Sequence, residues 1–197
     1  SNNLILDSDV KLAIDPSYTI NVTGESDING TLEIGNGTYD ANGTFDATGG
    51  VIDFTGAGVI NLGSTVTSLG TLDPSEGSIT YDGADQTVYT DTYYNLIISG
   101  SGAKTLAGNI DINGDLMIES GAAFNTSVSD YQVNLAGDLS NSGTMTLNSS
   151  SFYFDKGSVQ NVTDGAVVFS SLYLSAGTVL ATSQNITVLG ETSGTGT

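Results

Sequence analysis

The sequence predicts an all-β chain wound as a right-handed parallel β-helix, a β-solenoid with three short strands in each turn of about 20–24 residues. Three observations predict it. Glycine-led units recur at a spacing of about 20 residues. Each unit alternates apolar and polar residues with period two, the signature of a strand with one inward face. No stretch shows capped helical periodicity, and the 197 residues hold only 2 prolines.

The most regular turns span 26–80. Gly30-Thr31-Leu32-Glu33-Ile34 becomes Gly50-Val51-Ile52-Asp53-Phe54 and then Gly70-Thr71-Leu72-Asp73-Pro74. A second series starts at Gly37, Gly58 and Gly77, and a third at Gly43, Gly63 and Gly83. Glycine at the head of each unit is expected to supply the backbone freedom of a tight corner. Units this close together, repeating at a constant interval, stack most economically on their own equivalents one turn away. The rival fold is a β-sandwich, whose strands return every ~8–12 residues without a constant longer repeat.

Tyr81–Ser99 fits the pattern worst, and its run Val88–Asn95 is expected to loop out or fill an irregular turn. Longer turns follow over 95–190. Ile110-Asp111-Ile112-Asn113-Gly114-Asp115-Leu116 reappears as Val133-Asn134-Leu135-Ala136-Gly137-Asp138-Leu139. Its apolar-x-apolar-x-Gly-acid core is echoed at Ile20–Glu25 and Ile186–Glu191, and Asp27-Ile28-Asn29-Gly30 is echoed at Asp111–Gly114. Ser78-Ile79-Thr80-Tyr81-Asp82 is echoed by Ser151-Phe152-Tyr153-Phe154-Asp155, each followed within about ten residues by a Gln and then a Val. Eight or nine turns at about 4.8 Å per strand make a rod on the order of 40 Å long. Residues 1–192 read as one solenoid domain and 193–197 as a flexible tail or linker.

The alternation fixes the inward positions. In the first half these are Leu32, Ile34, Ile52, Phe54, Ile60, Leu62, Leu72, Ile79, Tyr81, Leu96 and Ile98. In the second they are Ile110, Ile112, Leu116, Ile118, Val133, Leu135, Met145, Leu147, Phe152, Phe154, Leu172, Leu174, Ile186 and Val188. Leu, Ile, Val and Phe make up roughly 26% of the chain, above the ~20% at which a core becomes implausible, so disorder is not expected.

Composition excludes several functions. There is no Arg, His, Cys or Trp, and 3 lysines face 22 acidic residues, giving a formal charge of −19. The usual zinc, haem, iron–sulfur and Ser-His-Asp chemistries lack their residues. Nucleic acid and acidic lipid present phosphate fields that this surface repels. No apolar run reaches the ~18 residues of a membrane span, so no membrane insertion is expected. No basic-then-apolar leader stands at the start, as expected of a chain whose signal peptide has been removed or of an internal fragment.

The segment from Tyr94-Asn95-Leu96-Ile97-Ile98 through Asn113-Gly114-Asp115-Leu116 resembles the repeat of large secreted surface proteins of Bacteroidota. More loosely, it is similar to the haemagglutinin-like β-helical stalks of bacterial adhesins. The stretch from Gly121-Ala122 to Gly143-Thr144-Met145-Thr146-Leu147 continues the style, and the likeness covers Ser78 to Glu191. It implies a secreted, cell-surface or matrix location and a structural or adhesive role as a stiff spacer or fibre-forming stalk. It brings no catalytic residues, so the chain is expected not to be an enzyme. The partners implied are copies of the chain or adjacent repeats, end to end, and surface glycans. A carbohydrate-binding module is the alternative, followed by a β-helix enzyme degrading polysaccharide.

Candidate sites are few. Glu33, Asp53 and Asp73 take the outward position of three successive turns, a ladder whose mutual repulsion a Ca²⁺ ion would relieve; a solvated acidic face is the plainer reading. No other cofactor is expected. Tyr89, Tyr93 and Tyr94, with Asp91 between them, are candidate glycan contacts, as are Tyr153 and Tyr173, because inward positions are filled by their neighbours. Packing along the rod is the competing role for these rings. Asp82 and Asp85 are the nearest carboxylate pair for glycoside hydrolysis, but a polar turn also explains them. An ice-binding face would need threonines in regular ladders, and Thr65-Val66-Thr67 and Thr144-Met145-Thr146 are not expected to align.

Overall fold

The computed structural model describes residues 2–190 and the backbone of a last strand at 192–194. Its described residues form strands and turns with no helix. The first turn holds β1 (Leu4–Leu6), β2 (Lys11–Ile14) and β3 (Thr19–Val22). The second holds β4 (Ser26–Ile28), β5 (Thr31–Ile34) and β6 (Thr38–Ala41). The third holds β7 (Phe45–Asp46), β8 (Val51–Phe54) and β9 (Val59–Leu62), and the fourth β10 (Val66–Ser68), β11 (Thr71–Asp73) and β12 (Ser78–Tyr81). The fifth holds β13 (Gln86–Val88), β14 (Thr92–Tyr93) and β15 (Asn95–Ile98), and the sixth β16 (Gly102–Leu106), β17 (Ile110–Ile112) and β18 (Leu116–Ile118). The seventh holds β19 (Ala122–Asn125), β20 (Gln132–Leu135) and β21 (Leu139–Asn141), and the eighth β22 (Thr144–Thr146), β23 (Ser151–Phe154) and β24 (Val159–Asp164). The ninth holds β25 (Val167–Phe169), β26 (Ser171–Leu174) and β27 (Val179–Thr182), followed by β28 (Ile186–Val188) and β29 (Thr192–Gly194).

Every strand pairs in parallel with its equivalent in the neighbouring turn, which makes the chain a parallel β-solenoid with three faces. Face three is one continuous nine-stranded sheet from β3 to β27. Nine strands at about 4.8 Å give a rod about 40 Å long. Faces one and two are interrupted. Face two divides into β2–β5–β8–β11 and a six-stranded sheet from β14 to β29, and face one into β1–β4–β7–β10, β13–β16–β19–β22 and β25–β28. A seam therefore lies between turns four and five, crossed by the ladder on face three alone.

The register follows the repeats read from the sequence. Leu32 pairs with Ile52 and Ile52 with Leu72, and Ile110-Asp111-Ile112 pairs residue for residue with Val133-Asn134-Leu135. The remaining echoes do not share a face. Ile20 stands on face three, Ile110 on face two and Ile186 on face one. Apolar-x-apolar followed by glycine is thus a corner element that serves any of the three corners. Tyr81–Ser99 does not leave the coil. It forms the fifth turn, only 17 residues long from Ser78 to its partner Asn95.

Most inward positions are buried as the alternation requires. Leu72, Met145, Leu174, Ile186 and Val188 are only partly buried. Leu72 and Met145 lie on β11 and β22, each the last strand of its sheet, and the other three lie in the last turns, where cover thins. Core residues beyond the expected inward positions include Tyr39, Phe45, Tyr93, Phe124 and Phe169. Several sit on two- or three-residue strands, too short to show a period.

The glycines serve a different purpose from the one expected. Of the nine in the three series, only Gly70 has a positive φ, 66°. Most of the others stand where the preceding turn's backbone passes too closely for a side chain. A Cβ at Gly43 would overlap the Gly24 carbonyl, and one at Gly83 would lie 2.5 Å from the Gly63 oxygen.

Candidate functional site

At the seam the core turns polar, and each polar group is held by a backbone partner. The Tyr81 hydroxyl, from turn four, meets the Tyr93 hydroxyl, from turn five, at 3.3 Å. Tyr89 N donates to the Tyr81 hydroxyl at 3.2 Å, and the Tyr93 hydroxyl donates to the Tyr89 carbonyl at 2.7 Å. Burial pushes Tyr81 up to about 12 and Tyr93 well above the usual phenol range. Both hydroxyls therefore remain protonated donors.

Corner carbonyls point inward and accept from buried side chains, some of them, such as Leu62 O and Leu135 O, in addition to a backbone N–H of the neighbouring turn. Gln86 Nε2 donates to Leu62 O and Ser64 O, each at 2.7 Å, while its Oε1 accepts from Gly83 N. Gln160 repeats this arrangement three turns on. Its Nε2 donates to Leu135 O at 2.7 Å and Gly137 O at 2.6 Å, and its Oε1 accepts from Lys156 N. These are the glutamines that follow the Ser78 and Ser151 echoes, so those echoes mark one corner clasp used at two different corners. Lys104, fully buried as the register partner of Gln86, donates to Gly83 O at 2.7 Å and Ser101 O at 2.6 Å. Desolvation lowers its pKa, opposed by the charges of Asp82 and Asp85.

The expected site residues separate. Tyr93 does not present an exposed ring: it is fully buried, because β14 points it inward with Ile112 as its register partner. Tyr89 is half-buried against the core, and Tyr94 is half-buried. Asp91 is half-buried, its Oδ1 accepting from Thr92 N. Tyr153 and Tyr173 stack face to face at 4.4 Å in adjacent turns of face two. Asp85 accepts from Ala103 N at 2.8 Å, and Asp82 carries a buried oxygen, Oδ1, with no hydrogen-bond partner.

Glu33, Asp53 and Asp73 do stand in one outward column of face two. Lys11 forms an ion pair with Glu33 at the start of that column. Among the described residues, no three or more acidic side chains converge in a geometry that would hold a metal. On face one Thr87 pairs with Thr105, Thr105 with Asn125 and Asn125 with Thr146, so asparagine interrupts a threonine column.

Two grooves open beside the seam. One of about 380 Å³ crosses face one between β10 and β13 and is lined by Thr65, Asp85, Thr87, Ala103 and Thr105. The other, of about 360 Å³, lies on face two over turns five to seven. Thr90, Asp91 and Thr92 contribute from turn five, Asn109 and Asp111 from turn six, and Gln132 and Asn134 from turn seven. Of these, only Asp91 is singled out as a contact by sequence reasoning. The signal for two others lies in the repeat itself, since aligning Ile110–Ile112 with Val133–Leu135 sets Asp111 beside Asn134.

Burial raises the carboxyls of Asp82, Asp91 and Asp155 above the ordinary value of 3.8, with Asp40 adding at Asp82 and Asp111 at Asp155. Such groups hold their protons more tightly folded than unfolded, so their contribution to stability falls as pH climbs through the raised values. Relief of the −19 charge acts in the same direction. Melting temperature is expected to rise as pH is lowered from about 7 to about 4.5, and Asp82→Asn to flatten that slope. Thermal melts across the interval check this; a steady fall in melting temperature would refute it.

The class defined by these features is the three-faced parallel β-solenoid with a polar seam. No family model, curated protein or solved structure matches the chain.

Proposed function

We propose that the chain is a non-catalytic stiff spacer, a rod module of a secreted bacterial surface or matrix protein. The observation that carries this reading is the unbroken nine-stranded sheet of face three. Bending the rod there means distorting ladder hydrogen bonds in register along its whole length. The acidic surface supports the reading by keeping neighbouring rods soluble and apart. Copies or adjacent repeats continue the coil end to end, because a parallel strand with a free edge is a template for the next.

The test is electron microscopy of the purified chain together with immunogold labelling of cells producing the parent protein. Straight rods whose lengths increase in steps of about 40 Å, with label at the cell surface, are expected. Label confined to the cytoplasm, or rods of a single length at all concentrations, would overturn the location and the stacking respectively.

A further inference from the structure

We infer that the groove on face two, over turns five to seven, is a binding site for a neutral glycan chain lying along the rod axis. The inference goes beyond the spacer role and moves carbohydrate contacts away from buried Tyr93. Asn109, Gln132 and Asn134 are fixed by the chain's own hydrogen bonds. Asn109 Oδ1 accepts from Gln132 N at 2.9 Å, and Asn134 Oδ1 accepts from Gln132 Nε2 at 2.6 Å. Asp91 is fixed through Oδ1 by Thr92 N at 2.8 Å.

What remains is a row of oriented atoms without a partner among the described residues. Asp91 Oδ2, the Asp111 carboxylate and Gln132 Oε1 accept, and Asn109 Nδ2 and Asn134 Nδ2 donate. Carboxylates accepting from hydroxyls beside amides donating to hydroxyl oxygens match a sugar's adjacent hydroxyl groups, each both donor and acceptor. Because Asp91, Asn109, Gln132 and Asn134 are already held, binding loses little rotamer entropy at those four side chains.

The charge selects the sugar class. The lining holds carboxylates and no cation, so uronic acids and sulfated sugars are repelled while neutral hexoses are not. The outward column that begins with Asp111 and Asn134 continues in register to Tyr153 and then Tyr173. The stacked pair gives an apolar stop at the end of a polar track, suited to the C–H face of a further sugar ring. The strand spacing of about 4.8 Å places successive contacts along the axis, which favours an extended chain over a single sugar.

The experiment titrates the intact chain, by calorimetry in EDTA, with cellohexaose, laminarihexaose and mannohexaose, and with oligogalacturonate as the acidic control. At least one neutral hexasaccharide is expected to bind and oligogalacturonate not to. Asp111→Ala combined with Asn134→Ala is expected to weaken binding by about tenfold or more. Melting temperature should fall only slightly, because both side chains face outward and the one bond lost is that from Gln132 Nε2 to Asn134 Oδ1. Glu33→Gln, on the same face beyond the seam, should bind as the parent does. Failure of all three neutral probes, equal binding of the acidic one, or an unaffected double variant would overturn the site. Binding that appears only with added Ca²⁺ would also overturn it, in favour of a cation site.

Discussion

Tyr93→Ala is expected to lower the unfolding free energy by about 3–5 kcal/mol, as for other buried aromatic residues cut back to alanine. The ring is fully buried at the seam, where face two carries no ladder bond between β11 and β14. Removing it opens a cavity and also leaves the Tyr89 carbonyl without its donor. Tyr93→Phe separates these two effects: it keeps the ring, removes the donor, and should cost about 1–3 kcal/mol. In a solenoid, stability is close to a sum of turns and nearest-neighbour interfaces. Weakening the seam is therefore expected to split one denaturation transition into two, for the turns on either side. Urea unfolding followed by circular dichroism and tyrosine fluorescence checks this. A loss of less than about 1 kcal/mol for Tyr93→Ala would place the ring outside the core.

Gln160→Leu is expected to cost about 2–5 kcal/mol, although leucine is similar in size and apolar in an apolar surround. The clasp supplies the donor to the inward Gly137 carbonyl and the acceptor to the N–H of Lys156, and adds a second donor to Leu135 O, which also accepts from Asp155 N. A buried backbone group deprived of its partner costs about 1–3 kcal/mol. Gln86→Leu should behave alike, since Gln86 makes the equivalent three bonds three turns earlier. Gln160→Glu is the informative companion: it retains the acceptor, loses the amide donors and places a negative charge against two carbonyl oxygens. It should be at least as damaging as leucine at pH 7 and recover as pH falls. If Gln160→Leu were neutral or stabilising in denaturant titrations, the corner carbonyls would have to find other donors and the clasp would not be what joins the turns there.

Much of the fold is legible because a solenoid writes its register into its repeat length. The Leu32–Ile52–Leu72 column and the match of Ile110–Ile112 to Val133–Leu135 are read from spacing alone and recur as paired strands. The site is far less legible. Asp91, Asp111 and Asn134 stand on three different turns, and their meeting depends on β14, β17 and β20 pairing in that order. The inward turn of Tyr93 is hidden in the sequence for a related reason. In Thr92-Tyr93-Tyr94-Asn95 either tyrosine satisfies a two-residue strand, and only the register with Ile112 decides which one turns inward.

By itself, the sequence determined the class of fold, the parallel stacking, the number of turns and most of the apolar columns, because period-two alternation repeated at a constant interval has few other ways to bury its inward face. Tertiary structure alone decided where the ladders on faces one and two break, which polar residues turn inward to cap corner carbonyls, and why glycine is needed at corners such as Gly43. Those outcomes depend on how closely one turn's backbone passes the next, a distance set by neighbours about 20 residues away in the chain rather than by any local pattern.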